Sequence, residues 1–335
     1  MSQRIDRKKD HIDLAIASAT QLSTKDDRFY YEPMLSIHPD STTQLSTVFL
    51  QKPFEAPIWV SSMTGGTGIA KIINENLARA CKDFGLGMGL GSCRKILFDD
   101  EYLEDFMVRR FIGDQPLYAN LGIAQVSDLL SKGQAKVIAE MINKLSADGL
   151  IIHVNPVQEW LQPEGDIIAG NTPMAVIESA LDKLNCPIIV KEVGQGIGPQ
   201  SLLALMKLPL AAIEFAAYGG TNFAKLENLR DPRTDQIDPI CFVGHHPTEM
   251  IEMIHRILEE CPSDDIACKE FIISGGIKDY LDGYYYNDLL SVNSIYGQAA
   301  GFLKHAHGDY DDLAYYVEQQ INGYKFAKQY LTVKK

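Results

Sequence analysis

Beyond residue 55 the chain alternates between two textures. Short apolar or glycine-rich runs stand at 56–60 (APIWV), 85–89 (GLGMG), 117–120 (LYAN), 149–154 (GLIIHV), 187–191 (PIIVK), 211–216 (AAIEFA), 271–274 (FIIS) and 291–297 (SVNSIYG). Runs this short, without polar alternation, read as strands covered on both faces. Between them lie segments of helical period at 69–84, 135–147, 173–184 and 249–261; in the first, Ile69, Ile73, Leu77, Ala80, Cys81 and Phe84 make one apolar face. Alternating strand and helix implies a parallel sheet, and eight units over roughly 250 residues predict a TIM (β/α)8 barrel. A doubly wound sheet has fewer strands and a glycine fingerprint after the first. The barrel is expected over 56–335, closed by a helix at DDLAYYVEQQINGYKFA, and residues 1–55 form an N-terminal arm. The arm is polar, with a basic cluster at Arg4, Arg7, Lys8 and Lys9, a helical DHIDLAIASAT segment and a long extended region; by composition it reads as solvated. The interruption from 219 to about 247, after the sixth strand, is expected to be an active-site loop.

Composition narrows the class. The 335 residues are 46% hydrophobic and 22% charged, as in an ordinary globular chain, and the net charge of -13 argues against nucleic-acid binding, which needs cations to displace phosphate counterions. Any phosphate site must be local. Cys81, Cys93, Cys186, Cys241, Cys261 and Cys268 are scattered without a CxxC pair, which disfavours a disulfide framework or a zinc cage and suits a reducing compartment. No signal peptide or membrane span is apparent, so a soluble cytoplasmic protein is expected.

In a barrel, chemistry gathers where the strands end at their carboxyl side. The fourth strand ends in the polar cluster His153, Asn155, Gln158 and Glu159, and Pro156 forces a turn that projects the last two above the sheet. Alone, this could be a polar turn after a core strand. The pattern recurs, however: SSMTGGTG, GSCR and ANLG follow the first three strands, and these small and hydroxyl-bearing residues would let a flat ligand approach the backbone. The fifth strand ends in Lys191 and Glu192, a charge pair that is costly on an apolar strand without a compensating partner or ligand. YGGTN, SGGI and YGQAAG follow the last three strands, and glycine turns after strands seven and eight suit a phosphate-bearing cofactor. EVGQGIG has the wrong spacing for a dinucleotide fingerprint; His245 and His246, being adjacent, are poorly placed to clasp one metal; Tyr284, Tyr285 and Tyr286 read as packing residues.

RKKDH, SSMTGG, GSCR, ANLG, HVNPVQE, VKEVG, GGTNFAKLEN and SGGI, in that order over nearly the whole chain, resemble type 2 isopentenyl diphosphate isomerases, the flavin-dependent kind. The resemblance implies an FMN barrel that interconverts isopentenyl and dimethylallyl diphosphates without net redox change, with Mg2+ on the diphosphate and NADPH or another reductant keeping the flavin reduced. It also implies a homo-oligomer, a tetramer or octamer. Carried over residue by residue, Ser62, Met63, Thr64, Ser92, Asn120, Lys191 and Thr221 would line the flavin. Gly275, Gly276, Ile277, Gln298, Ala299 and Ala300 would hold its phosphate end. Arg7, Lys8, Ser92 and Arg94, with His153 and Asn155, would grip the substrate diphosphate. Gln158, also a substrate contact, would form the catalytic set with His153 and Asn155, and Glu159 would carry the metal. The chain departs from the family pattern at Phe223, at Lys278 after SGGI and at FVGHHPT. An FMN-dependent 2-hydroxyacid oxidoreductase is the alternative on the same barrel, but SGGIKD lacks the histidine base and arginine it needs. A barrel that binds FMN without catalysis leaves HVNPVQE and RKKDH without a role.

Overall fold

The computed structural model describes residues 11, 14–62, 65–168, 170–230 and 238–334. Three short strands precede the barrel: β1 (Phe29–Tyr31), β2 (Thr47–Phe49) and β3 (Lys52–Phe54). Eight parallel strands then close on themselves: β4 (Ile58–Val60), β5 (Gly87–Gly89), β6 (Leu117–Gly122), β7 (Gly149–His153), β8 (Ile188–Lys191), β9 (Ala212–Glu214), β10 (Phe271–Ser274) and β11 (Ser294–Gln298), with β11 pairing back onto β4. All eight strand runs read from the sequence are barrel strands, so the TIM-barrel expectation holds. The helices Ala70–Phe84, Ala135–Leu145, Pro173–Lys183 and Pro247–Glu260 fall where helical period was read, and Tyr310–Tyr330 is the closing helix.

Strand alternation sorts the core into two layers. Trp59, Tyr118, Ile151, Ile189, Ile272 and Ile295 fill the barrel interior, while Ile58, Val60, Leu150, Ile152, Ile188 and Val190 face the surrounding helices. The glycines of β5 make this packing possible: a Cβ on Gly87 would stand 2.7 Å from the Trp59 ring. The three glycines of GLGMG thus have separate reasons: Gly87 makes room for the Trp59 ring, Gly85 caps the preceding helix at φ 64°, and Gly89 lies against Ile151 and Ser62.

The region read as extended inside the arm is more ordered than its sequence suggests. β2 and β3 form an antiparallel hairpin whose turn residues Leu50 and Gln51 have φ of 52° and 60°. That left-handed geometry matches a tight hairpin turn, but Leu-Gln is not a turn-forming pair. Burial provides the compensation, since Phe49 and Phe54 are fully buried in the interior cluster and plug the amino-terminal end of the barrel. β1 pairs antiparallel with β12 (Leu331–Val333), which follows the closing helix. Of the DHIDLAIASAT segment, residues 10, 12 and 13 lie outside the described residues and 15–18 form turns. No described helix is long and apolar enough to cross a membrane.

The plug is latched to the barrel through Asp148, just before β7. Its carboxylate accepts from Lys52 Nζ at 2.7 Å, Arg109 Nη2 at 2.8 Å and the Leu117 N–H at 2.8 Å. Burial alone would raise the Asp148 carboxyl, but the Lys52 hydrogen bond, the Leu117 amide and Arg109 outweigh it and hold the pKa below the ordinary carboxylate value. Asp148→Asn is expected to destabilise the fold by about 2 kcal/mol at neutral pH. The lowered pKa sets the pH dependence: the contribution is complete above the unfolded value of about 3.9 and is lost as pH falls through the lower folded one. Thermal unfolding of both proteins across that range checks this, with the gap in Tm closing in acid.

Candidate active site

Pro156 does not only turn the chain after β7. It opens the short helix Pro156–Leu161 at its first position, where a proline costs no intrahelical hydrogen bond. Asn155, Gln158 and Glu159 thereby share one turn. Asn155 is buried, and its Nδ2 donates to Gln158 Oε1 at 3.0 Å and to Glu159 Oε1 at 2.8 Å. Gln158 Nε2 donates to Glu227 Oε1 at 3.1 Å, from the helix Phe223–Arg230, and Arg230 Nη1 reaches both oxygens of buried Glu227 at 3.0 and 3.1 Å. On the other side Glu159 Oε2 accepts the Asp166 N–H at 2.7 Å, while the Asp166 carboxylate takes Arg94 Nη1 at 2.6 Å and Gln125 Nε2 at 2.7 Å. A continuous polar chain thus runs from Arg94 to Arg230 across the carboxyl-terminal mouth of the barrel.

His153 ends β7 beside this chain. Asn120 Nδ2 donates to the Leu90 carbonyl at 3.1 Å, so its Oδ1, 2.7 Å from His153 Nδ1, acts as acceptor. His153 therefore carries its proton on Nδ1 and offers a lone pair at Nε2. Burial, with repulsion from Lys191, pushes the imidazole down to about 3, so it is neutral at physiological pH. At the barrel mouth it therefore presents a neutral polar group rather than a cation.

A cavity of about 550 Å³ opens at the ends of β8 to β11 and β4. Its volume suits a cofactor-sized ligand. Lys191 is buried in its wall and donates to the Glu192 carbonyl at 2.8 Å. The expected charge pair is split, since the Glu192 carboxylate instead accepts the N–H groups of Gly194, Gln195 and Gly196 at 2.6, 2.6 and 3.0 Å. Burial raises the Glu192 pKa, with these amides opposing it. Lys191 thus faces the cavity with no carboxylate in salt-bridge range among the described residues.

The opposite wall is backbone. Gly219, Gly275 and Gly276 have φ of 127°, 92° and 77°, and a Cβ on Gly275 would come 2.1 Å from the Ala217 carbonyl oxygen. Only glycine lets the turns after β9 and β10 meet, so main chain rather than side chain borders an occupant there. Two buried polar atoms of the cavity, Ser62 Oγ and Glu214 Oε2, have no protein partner among the described residues. A flat heteroaromatic with a polar edge and a phosphate fits this donor set.

Of the flavin-site residues expected from sequence, Ser62, Lys191, Thr221, Gly275, Gly276, Ile277, Gln298, Ala299 and Ala300 line this cavity. Ser92 is exposed on its loop, and Asn120 is committed to His153 and Leu90; neither lines it. Arg7, Lys8, Met63 and Thr64 lie outside the described residues. The structure adds Glu214, Glu227 and Asp166. A lone acid inside the apolar run AAIEFA was a legible signal for Glu214; nothing local marked the other two.

No family model matches the chain. It is 32% identical over 309 residues to the isopentenyl-diphosphate delta-isomerase of Rickettsia felis, an alignment that covers 90% of this chain and 85% of that protein. The chain belongs to the isopentenyl-diphosphate delta-isomerase family. Among solved structures, flavocytochrome b2 with sulfite bound superposes at a TM-score of 0.60 with 15% identity, covering 90% of this chain and 72% of that one. Mandelate oxidase with a monooxide FMN adduct superposes at 0.55 with 12% identity, covering 92% and 88%. At these identities the superpositions show a shared barrel fold.

Proposed function

We propose that the chain interconverts isopentenyl and dimethylallyl diphosphates, with reduced FMN in the 550 Å³ cavity and Mg2+ on the substrate diphosphate. One observation carries the reading. β7 and β8 pair in register with His153 opposite Lys191, which sets the polar chain of the Pro156–Leu161 helix against the flavin-sized cavity. Family membership favours this over a 2-hydroxyacid oxidoreductase, whose fold the barrel shares.

When bound, reduced FMN would supply an electron-rich face and a protonatable N5 beside the alkene. Lys191 would hold the polar edge of its ring, and the glycine turns after β9 and β10, with Gln298, Ala299 and Ala300, its phosphate. The protein's own tasks follow from the geometry. Adding a proton to an unactivated alkene builds positive charge, so the pocket must exclude water and hold fixed dipoles around the reacting carbon. Gln158 is a neutral amide and a poor base, but it bridges Asn155 and the carboxylate of Glu227. In this reading it orients the alkene and passes a proton between substrate and Glu227, the titratable group it touches.

The described residues contain no cluster of three metal-ligating side chains. Glu159 alone is nonetheless consistent with Mg2+, which typically binds through one or two carboxylates, waters and substrate phosphates. Arg94, His153 and Asn155 would meet the diphosphate, with Arg7 and Lys8 delivered by the 1–55 arm and Ser92 at the rim. NADPH or another reductant would keep the flavin reduced. We also infer a cytoplasmic homo-oligomer, tetramer or octamer; the six free thiols are consistent with a reducing compartment.

Anaerobic incubation with isopentenyl diphosphate, FMN, Mg2+ and NADPH, leaving out one component at a time, tests the reading. Dimethylallyl diphosphate should form only with flavin, metal and reductant together, without stoichiometric NADPH consumption. Turnover without flavin, or oxidation matched to product, overturns it.

A further inference from the structure

Glu214 has no part in the proposed catalytic chain, yet it is the most completely buried charged residue of the site, with no exposed surface. It ends β9 in register with Lys191 on β8, and both line the cavity. Its Oε1 accepts from Ser61 Oγ at 2.6 Å and from Ser274 Oγ at 3.1 Å. Ser274 Oγ itself accepts the Ala216 N–H at 3.0 Å, so its own proton is directed at Glu214. Gly297 lets the two serines converge, because a Cβ there would stand 2.6 Å from Ser61 Oγ and 2.9 Å from Ser274 Cβ. Two hydroxyl donors on one oxygen are what an ionised carboxylate takes, and the short contact to Ser61 has the length of a charge-assisted bond. The other oxygen, Oε2, has no hydrogen-bond partner among the described residues. A protonated acid would need an acceptor there, and a buried anion needs a compensating field.

We infer that Glu214 is a fixed negative charge in the floor of the flavin cavity that, with Lys191, sets how strongly this site favours reduced over oxidised flavin. The inference rests on the proposed flavin site and deepens it. Both residues line the cavity, so on reduction of a flavin bound there Lys191 would attract the added electrons and Glu214 would repel them, and in a desolvated site neither effect would be screened as in water. Glu214 is a positioning and charge-setting residue, distinct from the groups that touch substrate.

The test is the ratio of dissociation constants for oxidised and dithionite-reduced FMN, measured anaerobically in the wild-type protein, Glu214→Gln and Ser274→Ala. Glu214→Gln keeps the shape and removes the charge, so reduced flavin should gain on oxidised by tenfold or more, an upward shift of about 30 mV for a two-electron couple. Ser274→Ala keeps the charge and removes one tether, so its ratio should stay within threefold of wild type. A Glu214→Gln ratio within threefold of wild type overturns the inference, as does an equal shift in Ser274→Ala or a Glu214→Gln protein that takes up neither form of flavin. A wild-type protein that binds no FMN overturns instead the proposed function, which separates the two failures.

Discussion

Gln158→Asn is expected to lower kcat about a hundredfold while leaving FMN and Mg2+ affinity near wild type. Asparagine keeps the amide but withdraws it by one methylene, and a misplacement of roughly 1 Å at a reacting centre costs about this much in rate. The geometry makes the loss specific. Gln158 Oε1 is held by Asn155 and its Nε2 reaches Glu227, so the shortened amide cannot span both partners. Binding survives because Gln158 does not line the flavin cavity. A residue that only braced the Pro156–Leu161 helix would behave in the opposite way, with a lower Tm and normal turnover per bound flavin. Recording kcat per flavin beside Tm separates the two, and normal turnover removes Gln158 from catalysis.

Glu159→Gln is expected to raise the Mg2+ concentration needed for half-maximal activity by more than tenfold, again with flavin still bound. Both carboxylate oxygens of Glu159 are oriented by donors, Oε1 by Asn155 and Oε2 by the Asp166 N–H. Such outer partners fix a metal-ligating group, and disturbing them typically costs about 10–100-fold in metal affinity. An amide in this place loses the charge that attracts the cation and turns an NH2 toward one of the existing donors. Activity against Mg2+ concentration, at saturating substrate and flavin, measures the effect. Unchanged half-saturation would show that the diphosphate alone carries the metal.

Gln158 and Glu159 stand in one motif, and the strand run ending at His153 with Pro156 behind it was enough to place both at a barrel mouth. Their partners were not accessible in the same way. Glu227 lies in GGTNFAKLEN and reads as one more helical glutamate, until the Phe223–Arg230 helix packs against Pro156–Leu161. Arg94 was expected to grip the substrate diphosphate, and its pairing with Asp166 in the fold could not be read from the sequence. Lys191 and Glu192 read as a pair, but three loop amides take the Glu192 carboxylate and leave the lysine to the cavity.

Local chemistry determined the elements. Burial on both faces writes continuous apolar runs, helical packing writes a period of 3.6, and proline and glycine mark where each must stop, so strands, helices and the barrel count could be read along the chain. Closure of the barrel decided the rest. Pairing β11 with β4 brings Gly297 beside Trp59, and the floor of the cavity then joins Ser61, just after β4, with Glu214 and Ser274 at the ends of β9 and β10. The Leu50–Gln51 turn holds its left-handed backbone because the phenylalanines flanking it are buried in the barrel end, a stabilisation absent from the local sequence. Local propensity acts between near neighbours and is visible in one dimension. Convergence of distant charges and the filling of a shared interior depend on contacts that exist only once the sheet is closed.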